Sequence, residues 1–459
     1  MKTNLDNIRG QNILVVGFGR SGRAVTSALL KLGARVSVQD SKEEKDVEAS
    51  VVTVLRNQGA RFYFNEVPED LTQYRMLVLS PGVDPELPFV REAQAAGAEV
   101  VGELEIAYRI SKGNFIAITG TNGKTTTTTL TGEIFRAAGR PTAVVGNIGV
   151  AVISQSAKAE EGDWLVTECS SFQLETTKYF RPKVSALLNI TPDHLNRHHT
   201  MENYARAKAR IFANQRADGY FVANYEDDWC QKLAGDCLAK VVWFSSAREL
   251  KAGAFVEDGW LVFRREDGET VRFCRKEELR IIGDHNVQNA LAAAAVSYCS
   301  GIDPEVIGQA LRSFAGVEHR IEYCGEIDGV RYFNDSKGTN TDAAETALRA
   351  IGHDILLIAG GDGKGQDFTE FATHFPGTVK ELILLGRDGH LIREAAEKAG
   401  FTAIHDCKNM ENCVRTAFEL ARPGDTVLLS PACASWDMYS DYEQRGRHFK
   451  DCVKRLAHK

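Results

Sequence analysis

The stretch from Ile118 to Thr126, ITGTNGKTT, constrains the fold of this chain more than any other segment. A strand-like run, residues 114–119, enters it, and a helix-compatible run, residues 124–138, leaves it. A glycine-rich turn between a strand and a helix directs backbone N–H groups toward phosphate oxygens. The pattern therefore predicts a P-loop inside an α/β domain with a mostly parallel sheet.

Each residue type in this loop suits phosphate binding. Gly120 and Gly123 permit the tight turn. Lys124 offers a positive charge to the β- and γ-phosphates, and Thr125 offers a hydroxyl to magnesium. Ile118 stands where the full P-loop pattern has its first glycine, so the match is partial. The alternative is an ordinary strand-to-helix turn with a solvated lysine, which the flanking strand and helix disfavour.

A second glycine motif lies near the start of the chain. A short apolar strand at residues 13–16 leads into GFGRSG, residues 17–22, a complete G-x-G-x-x-G, and a second strand ends at Asp40. Taken alone this unit is typical of dinucleotide binding, with Asp40 on a ribose diol, and it makes a dehydrogenase the obvious competitor. A dehydrogenase has no use for a triphosphate loop with a magnesium hydroxyl a hundred residues later. Two phosphorylated ligands are the simpler interpretation.

Size and composition bound the remaining possibilities. A chain of 459 residues is too long for one core, and we expect three domains. The net charge of −7 argues against a nucleic-acid-coating role, and the N-terminal segment and the rest of the chain lack the apolar runs of a leader or a membrane span. Ten cysteines without a C-x-x-C pair are typical of free thiols in a reducing compartment. We therefore expect a cytoplasmic protein that binds neither nucleic acid nor membrane.

Polar groups follow several predicted strands of the central region. Asn147, Glu168 and His194 each come just after an apolar run. Ligands of open parallel sheets bind at the carboxyl ends of strands, so Glu168 and His194 are candidate magnesium or phosphate contacts. A capping or turn role is the alternative for each. His194 and His198 have metal-ligand spacing, but they lack the glutamate of a zinc-protease helix and follow a proline.

Two further segments carry charge without an evident purpose. Arg206, Lys208 and Arg210 alternate along the predicted helix at residues 201–212, so they cannot share one face, and we expect most of this charge to be solvated. Residues 250–276 have the pattern of a β-hairpin appendage without obvious chemistry. The last third has strand-like runs ending in dense polar loops, which predicts a second doubly wound sheet.

A series of short motifs extends over nearly the whole chain. In order they are TGTNGKTT, GNIG, the glutamate of VTECSSFQLE, TPDHL, HNxxN, EHR, NDSKGTN, GGDGKG and SPACASWD…YEQRG. In this respect the chain resembles the Mur ligase family of bacterial peptidoglycan synthesis. It is most similar to the members that add D-glutamate to UDP-N-acetylmuramoyl-L-alanine. The resemblance implies an ATP-dependent amide-forming ligase that works through an acyl phosphate and needs Mg²⁺. It also implies an α/β fold of three domains in a monomer. The expected bounds are 1–102 (Rossmann-like, UDP-binding), 103–316 (P-loop, ATP-binding) and 317–459 (Rossmann-like, amino-acid-binding).

The resemblance further implies a set of contacts, carried over position by position. The UDP-linked acceptor is expected at Arg20, Ser21, Asp40, Ser41, Ser80 and Gly82, with Asn147 and His194 near its reactive end. ATP is expected at Gly120, Thr121, Asn122, Gly123, Lys124, Thr125, Thr126, Asn289, His319, Arg320 and Asp335. D-Glutamate is expected at Thr339, Lys364, Ser435 and Tyr442, the last a position where close relatives often carry phenylalanine. The catalytic residues are expected to be Lys124, Glu168, His194 and Lys208, and the metal ligands Thr125, Glu168, His194 and a carbamylated Lys208.

A non-catalytic nucleotide switch is the remaining alternative. Such a protein would keep Lys124 but would have no need of Glu168, His194 or the polar loops of the last third. Their presence favours an enzyme.

Overall fold

The computed structural model describes residues 8–457, which form two compact units. The first unit contains the chain up to residue 278 and residues 288–312, and the second contains residues 279–287 and the chain from residue 313 onward. Residues 1–7 and 458–459, at the outer ends of the first and third predicted domains, lie outside the described residues, and the prediction that the N-terminal segment lacks a leader falls mostly on them. The three domain bounds stay a prediction. Within residues 8–457 no helix has the length and apolarity needed to cross a bilayer.

The first sheet has five parallel strands in the order β3-β2-β1-β4-β5. Its central strands are continuous apolar runs because helices cover both faces of the sheet. Strand β1 lies between β2 and β4, so the loops after β1 and β4 leave the sheet at its topological switch point, where ligands of such folds bind. The elements are β1 Asn12–Val16, β2 Arg35–Asp40, β3 Arg61–Phe64, β4 Met76–Leu79, β5 Glu99–Gly102, α1 Arg20–Lys31, α2 Ala49–Asn57, α3 Pro88–Ala95 and a 3₁₀ turn at Glu44–Asp46.

The second sheet has nine strands in the order β14-β13-β12-β11-β10-β9-β6-β8-β7. Its strands are β6 Asn114–Thr119, β7 Thr142–Gly146, β8 Trp164–Glu168, β9 Val184–Leu187, β10 Tyr220–Asn224, β11 Lys240–Ser245, β12 Gly253–Glu257, β13 Trp260–Arg264 and β14 Thr270–Arg275. The helices of this part of the chain are α4 Glu103–Ile110, α5 Lys124–Ala137, α6 Val152–Ser156, α7 Ser171–Glu175, α8 Leu195–His198, α9 Met201–Ala209, α10 Asp228–Ala234, α11 Asp284–Cys299 and α12 Pro304–Ser313, with a 3₁₀ turn at Lys276–Glu278.

The region predicted as a hairpin appendage belongs to this second sheet. Strand β12 pairs in parallel with β11, and β13 and β14 continue the sheet as antiparallel neighbours. Phe255 and Val262 pack in one small core with Leu250. The segment is therefore the edge of the central sheet rather than a separate hairpin, because its apolar side chains are buried against each other and against the preceding strand.

The third sheet has the order β15-β16-β20-β17-β18-β19, and only β15 and β16 pair antiparallel. In β17, alternate residues enter different cores, with Leu357 in one and Leu356 and Ile358 in the other. The sheet is thus covered on both faces, as the doubly wound prediction requires. The elements are β15 Glu322–Ile327, β16 Val330–Asn334, β17 Ile355–Ala359, β18 Val379–Leu384, β19 Ile404–Asp406, β20 Thr426–Leu429, α13 Thr341–Ile351, α14 Thr369–Thr373, α15 Gly389–Lys398, α16 Met410–Leu420 and α17 Tyr442–Ala457.

All ten cysteines are free thiols, and six are buried.

Candidate active site

The predicted P-loop connects β6 to α5. Gly123 precedes the helix with φ +81°, and a Cβ at this position would lie 2.3 Å from Asn289 Oδ1. Only glycine satisfies both the left-handed backbone and this close approach. Ile118, which replaces the first glycine of the full motif, is a fully buried residue of β6. Position 118 therefore belongs to the buried strand, where an apolar side chain is required, and the turn of the loop begins after it.

The loop is held in place by the segment that follows β9. Asn189 Oδ1 accepts from the Asn122 N–H at 2.8 Å, and the Thr191 N–H donates to Thr121 Oγ1 at 3.0 Å. The Lys124 ammonium donates to the carbonyls of Gly120 and Thr121 at 2.9 and 2.7 Å. The lysine thus lies across the loop. The bracing role of Asn189 was missed from sequence, although its position directly after an apolar strand was a usable signal.

Strand order brings further polar groups to the same edge. Strand β6 lies between β8 and β9, so Glu168 and the segment after β9 flank the loop. Glu168 is 1% exposed, and its Oε1 accepts from Asn147 Nδ2 at 2.9 Å. Its Oε2 is buried with no hydrogen-bond partner among the described residues. An unpartnered buried carboxylate oxygen is costly, and a cation is the simplest group to satisfy it.

Lys208 requires a correction. The expectation of solvated charge is wrong for this residue, which is 1% exposed, with Nζ donating to Gly120 O at 2.8 Å and lying 4.6 Å from the Tyr204 ring centroid. Burial, and the neighbouring Lys124, lower the pKa of Lys208 well below its usual value. Lys208 lies one turn after Tyr204 on the buried face of α9, whereas Arg206 is exposed. Sequence alternation alone could not identify which of the three cations faces inward.

The two histidines after β9 differ in environment. His194 is half exposed and its ring lies 4.9 Å from that of Phe172, so its imidazole is accessible to a ligand. His198 is buried, and its Nε2 lies 2.9 Å from Ser171 Oγ. Burial lowers the pKa of His198 to about 4. His194 is the candidate ligand-binding histidine, and His198 supports the turn.

His198 should make stability depend on pH. Its pKa falls from 6.5 to about 4 on folding, so below pH 6.5 the unfolded chain binds a proton that the folded chain excludes, and stability falls as pH decreases toward 4. The expected loss is about 2 kcal/mol at pH 5. Urea titrations at pH 7 and pH 5 should show a smaller acid loss for His198→Gln than for the wild type. His353→Gln, at an exposed position, is the control; equal acid losses in all three proteins would contradict the assignment.

The glycine motif of the first sheet forms a braced turn. Asp40 accepts from the N–H groups of Phe18 at 2.6 Å and Lys42 at 2.9 Å, one at each carboxylate oxygen. Ser80 Oγ donates to Gly17 O at 2.9 Å across the switch point, and a Cβ on Gly22 would lie 1.9 Å from that same oxygen. Asp40 therefore stabilises the turn rather than projecting a free carboxylate. Four other residues of this sheet are predicted to contact the UDP-linked substrate, and all four are half-buried or exposed: Arg20, Ser21, Ser41 and Gly82.

The predicted ATP contacts divide between the two units. The first unit holds Gly120 to Thr126 and Asn289, and the second holds His319, Arg320 and Asp335. Asp335 Oδ2 accepts from Ser430 Oγ at 2.7 Å, and burial raises the pKa of this carboxyl to about 6.

The turn at His319 packs closely within the second unit. His319 Nδ1 lies 2.9 Å from Asn334 Nδ2, and a Cβ on Gly446 would approach the same nitrogen to 2.3 Å. His319 has φ +66° and is buried. The start of α17 therefore fixes the turn that carries the predicted nucleotide contacts of this unit.

The predicted D-glutamate contacts follow adjacent strands of the third sheet. Asp362 and Ala434, in the loops after β17 and β20, exchange two backbone hydrogen bonds of 2.9 Å. Lys364 has φ +52° and its ammonium lies 5.6 Å from the exposed Trp436 ring, while Ser435 is buried. The parallel pairing therefore brings these two loops to one edge.

The other two predicted contacts are linked to this edge through a residue that sequence reasoning missed. Thr339 follows β16, and the carbonyl of Tyr442, at the start of α17, accepts from Ser336 Oγ at 2.8 Å. Arg445 is buried and donates to Ser336 O at 2.8 Å and Cys433 O at 3.0 Å. It ties the loops after β16 and β20 to α17. An arginine in an amphipathic terminal helix gave no signal of this role beyond its place in the EQRG motif.

Comparison with known proteins identifies the family. Three family models match: "Mur ligase MurD-like, N-terminal domain" over residues 11–102, "Mur ligase middle domain" over 118–297, and "Mur ligase, glutamate ligase domain" over 319–433. The UDP-N-acetylmuramoylalanine–D-glutamate ligase of Alkaliphilus oremlandii (strain OhILAs) is 47% identical over 453 residues, covering 98% of this chain and 99% of the relative. The enzyme of the same name from Clostridioides difficile (strain 630) is 45% identical over 451 residues, covering 98% of this chain and all of the relative.

Solved structures agree with this assignment at the level of the fold. UDP-N-acetylmuramate-alanine ligase from Thermotoga maritima has a TM-score of 0.58 at 19% identity, covering 97% of this chain and 100% of that one. A MurF structure from Acinetobacter baumannii has a TM-score of 0.61 at 17% identity, covering 92% and 91%. Three sheets with polar groups at their carboxyl edges, matched by relatives over almost the entire chain, establish that this protein belongs to the Mur ligase family.

Proposed function

We propose that this chain joins D-glutamate to UDP-N-acetylmuramoyl-L-alanine in peptidoglycan precursor synthesis, converting ATP to ADP and phosphate. Mur ligases use ATP, and relatives that carry this enzyme name share about 45% of their residues with the chain over nearly its full length. The observation that carries the proposal is the P-loop flanked by Glu168 at one edge of the second sheet. That edge has the groups that phosphoryl transfer requires.

The reaction has two steps. The acceptor carboxylate attacks the γ-phosphorus of ATP, giving an acyl phosphate and ADP, and the amine of D-glutamate then displaces phosphate to form the amide. The first step brings two anions together. Gly120 to Gly123 offer backbone N–H groups to the phosphates, and Lys124 exchanges its present carbonyl contacts for phosphate oxygens, offsetting the repulsion and the charge that develops during transfer. Arg20, Ser80 and Asn147 position the acceptor.

The residues around the P-loop suit a magnesium ion. The unpartnered Oε2 of Glu168 would supply one hard oxygen ligand and the Thr125 hydroxyl a second oxygen donor, while His194 is proposed as a nitrogen ligand beside them. Lys208 can join them only as a carbamate, since an ammonium repels a cation. When bound, magnesium would neutralise phosphate charge and orient the transferring group. Glu168 and a carbamylated Lys208 would together supply the negative charge that holds it.

Carbamylation of Lys208 has a direct spectroscopic test. The reaction with CO₂ needs a neutral amine, and the burial that lowers the pKa of Lys208 favours that form. With ¹³C-bicarbonate at pH 8, the wild type should show a ¹³C carbamate resonance that Lys208→Gln lacks. Lys112→Gln, at an exposed position, should retain the resonance. A spectrum unchanged by Lys208→Gln would contradict the assignment.

Lys364 is proposed to pair with the side-chain carboxylate of D-glutamate, with Ser435, Thr339 and Tyr442 completing the site. Lys364 has a left-handed backbone conformation, and its ammonium lies near the Trp436 ring, beside the paired loops that follow β17 and β20. Because a charge-assisted bond contributes about 1.5–3 kcal/mol, Lys364→Ala should raise KM for D-glutamate about 10- to 100-fold and leave KM for ATP unchanged. Lys398→Ala, at an exposed position of the same unit, is the control. An unaltered KM for D-glutamate would remove Lys364 from the site.

Phosphate release tests the function as a whole. Purified protein receives Mg-ATP and UDP-N-acetylmuramoyl-L-alanine, with D-glutamate, L-glutamate, L-alanine or meso-diaminopimelate in separate reactions. Release with D-glutamate alone is the expected result. Release with another amino acid would reassign the substrate within the family, and no release with any of them would reject the acceptor. The proposed monomeric state and cytoplasmic location are checked separately by light scattering and by cell fractionation.

A further inference from the structure

A cavity of about 330 Å³ lies at the amino-terminal edge of the second sheet. Its lining comes from Tyr108 of α4, from the start of β6 and from the segments just before β9 and β10, and these three strands are parallel neighbours. The P-loop and Glu168 follow the opposite ends of the same sheet. At about 3.3 Å per residue, the six residues of β6 separate the two edges by roughly 20 Å. The cavity is therefore distinct from the candidate active site.

The charges that line this cavity are mostly positive. Arg181, Lys183 and Arg216 line it together with a single acidic residue, Asp218. None of the three cations has a carboxylate within ion-pair distance in the part of the chain that the structure describes. Clustered cations beside low-dielectric walls attract anions.

The cavity is preformed rather than a loose gap between loops. Gln215 is 2% exposed, and its amide donates to Pro182 O at 3.1 Å and Tyr220 O at 3.0 Å while accepting from Ser185 Oγ at 2.7 Å. On another side the Tyr108 and Phe115 rings pack edge to face with centroids 5.6 Å apart. A rigid polar floor and an aromatic wall are the usual composition of a small-ligand site.

We propose that this cavity binds a small organic phosphate. Guanidinium groups make two-point contacts with phosphate oxygens, and a phosphate carries more negative charge and more acceptor oxygens than a carboxylate, which suits a site with two arginines and one lysine. The half-buried Tyr108 ring, which packs on the buried Phe115, contacts the apolar or planar part of the ligand. The volume is at the lower limit for ligand pockets and excludes a molecule as large as the UDP-linked acceptor.

Isothermal titration of the full chain with phenyl phosphate tests this site. Lys183→Glu/Arg216→Glu reverses two exposed charges, and Lys251→Glu/Lys408→Glu makes the same change at exposed positions that do not line the cavity. The wild type and the control should bind one more equivalent of phenyl phosphate than the cavity variant. The affinity at this site should fall about 100-fold, a factor of ten for each lost charge-assisted bond. Arg216→Ala alone should weaken it about tenfold.

Two further measurements test whether the lost binding comes from the cavity and whether the site prefers phosphate to carboxylate. ATP-dependent phosphate release without phenyl phosphate should be equal in the wild type and the cavity variants, since Lys183 and Arg216 lie at the sheet edge opposite the P-loop. Benzoate should bind more weakly than phenyl phosphate. Equal stoichiometry in wild type and cavity variant, an equal loss in the control, or tighter binding of benzoate would each overturn the proposal.

Discussion

Lys124→Ala should lower kcat for phosphate release by about 10³-fold, with a smaller effect on KM for the UDP-linked acceptor. The ammonium lies over the P-loop, bonded to the carbonyls of Gly120 and Thr121. These contacts position the charge beside the nucleotide phosphates before substrate arrives, so its contribution is largest when negative charge develops in the transition state. Single-turnover measurements with saturating ATP and acceptor would isolate the chemical step.

The control for this experiment lies on the same helix. Arg136→Ala removes a half-exposed cation of α5 that pairs with Glu133, and it should leave kcat within about twofold because a surface ion pair contributes little. Since Lys124 also lowers the pKa of Lys208, the ¹³C spectrum of Lys124→Ala distinguishes a direct effect from loss of the carbamate. A kcat unchanged by Lys124→Ala would reject the P-loop assignment.

Glu105→Ala should lower the free energy of unfolding by about 3–5 kcal/mol. The Glu105 carboxylate is fully buried at the start of α4 and accepts the backbone N–H groups of residues 178, 179 and 180 at 2.8–3.1 Å. It also accepts from Arg109 Nε at 2.8 Å. Its removal leaves three backbone donors and the Nε–H of the buried Arg109 without their acceptor, which costs far more than the net value of the bonds.

Two comparison variants separate the parts of this network. Glu133→Ala breaks a half-exposed ion pair and should cost less than about 1 kcal/mol. Arg109→Met should cost less than Glu105→Ala, because Glu105 keeps its three backbone donors and Glu99, the other partner of Arg109, is partly solvated. Urea titration followed by circular dichroism measures all three. Equal costs for Glu105→Ala and Arg109→Met would mean that the ion pair, rather than the backbone donors, dominates.

Local sequence was sufficient where neighbouring residues alone decide the conformation. The strand Asn114–Thr119 and the start of α5 at Lys124 agree with the prediction residue for residue. A buried parallel strand requires an uninterrupted apolar run, and a tight turn requires glycine, so both leave a direct record in the sequence. The order of the motifs likewise indicated the family before any fold was known, and the relatives confirm it.

Tertiary structure decided the features that depend on contacts between distant segments. Sequence placed Lys208 among solvated charges, yet the packing of α9 buries it against Gly120, 88 residues away. The bracing of Asp40, the link made by Arg445, and the joining of residues 253–275 to the central sheet were equally invisible. The cationic cavity depends on three strands that are neighbours in space but not in sequence. Local patterns record propensity and turn geometry, whereas burial and charge environment are set by which surfaces meet, and only the folded chain determines that.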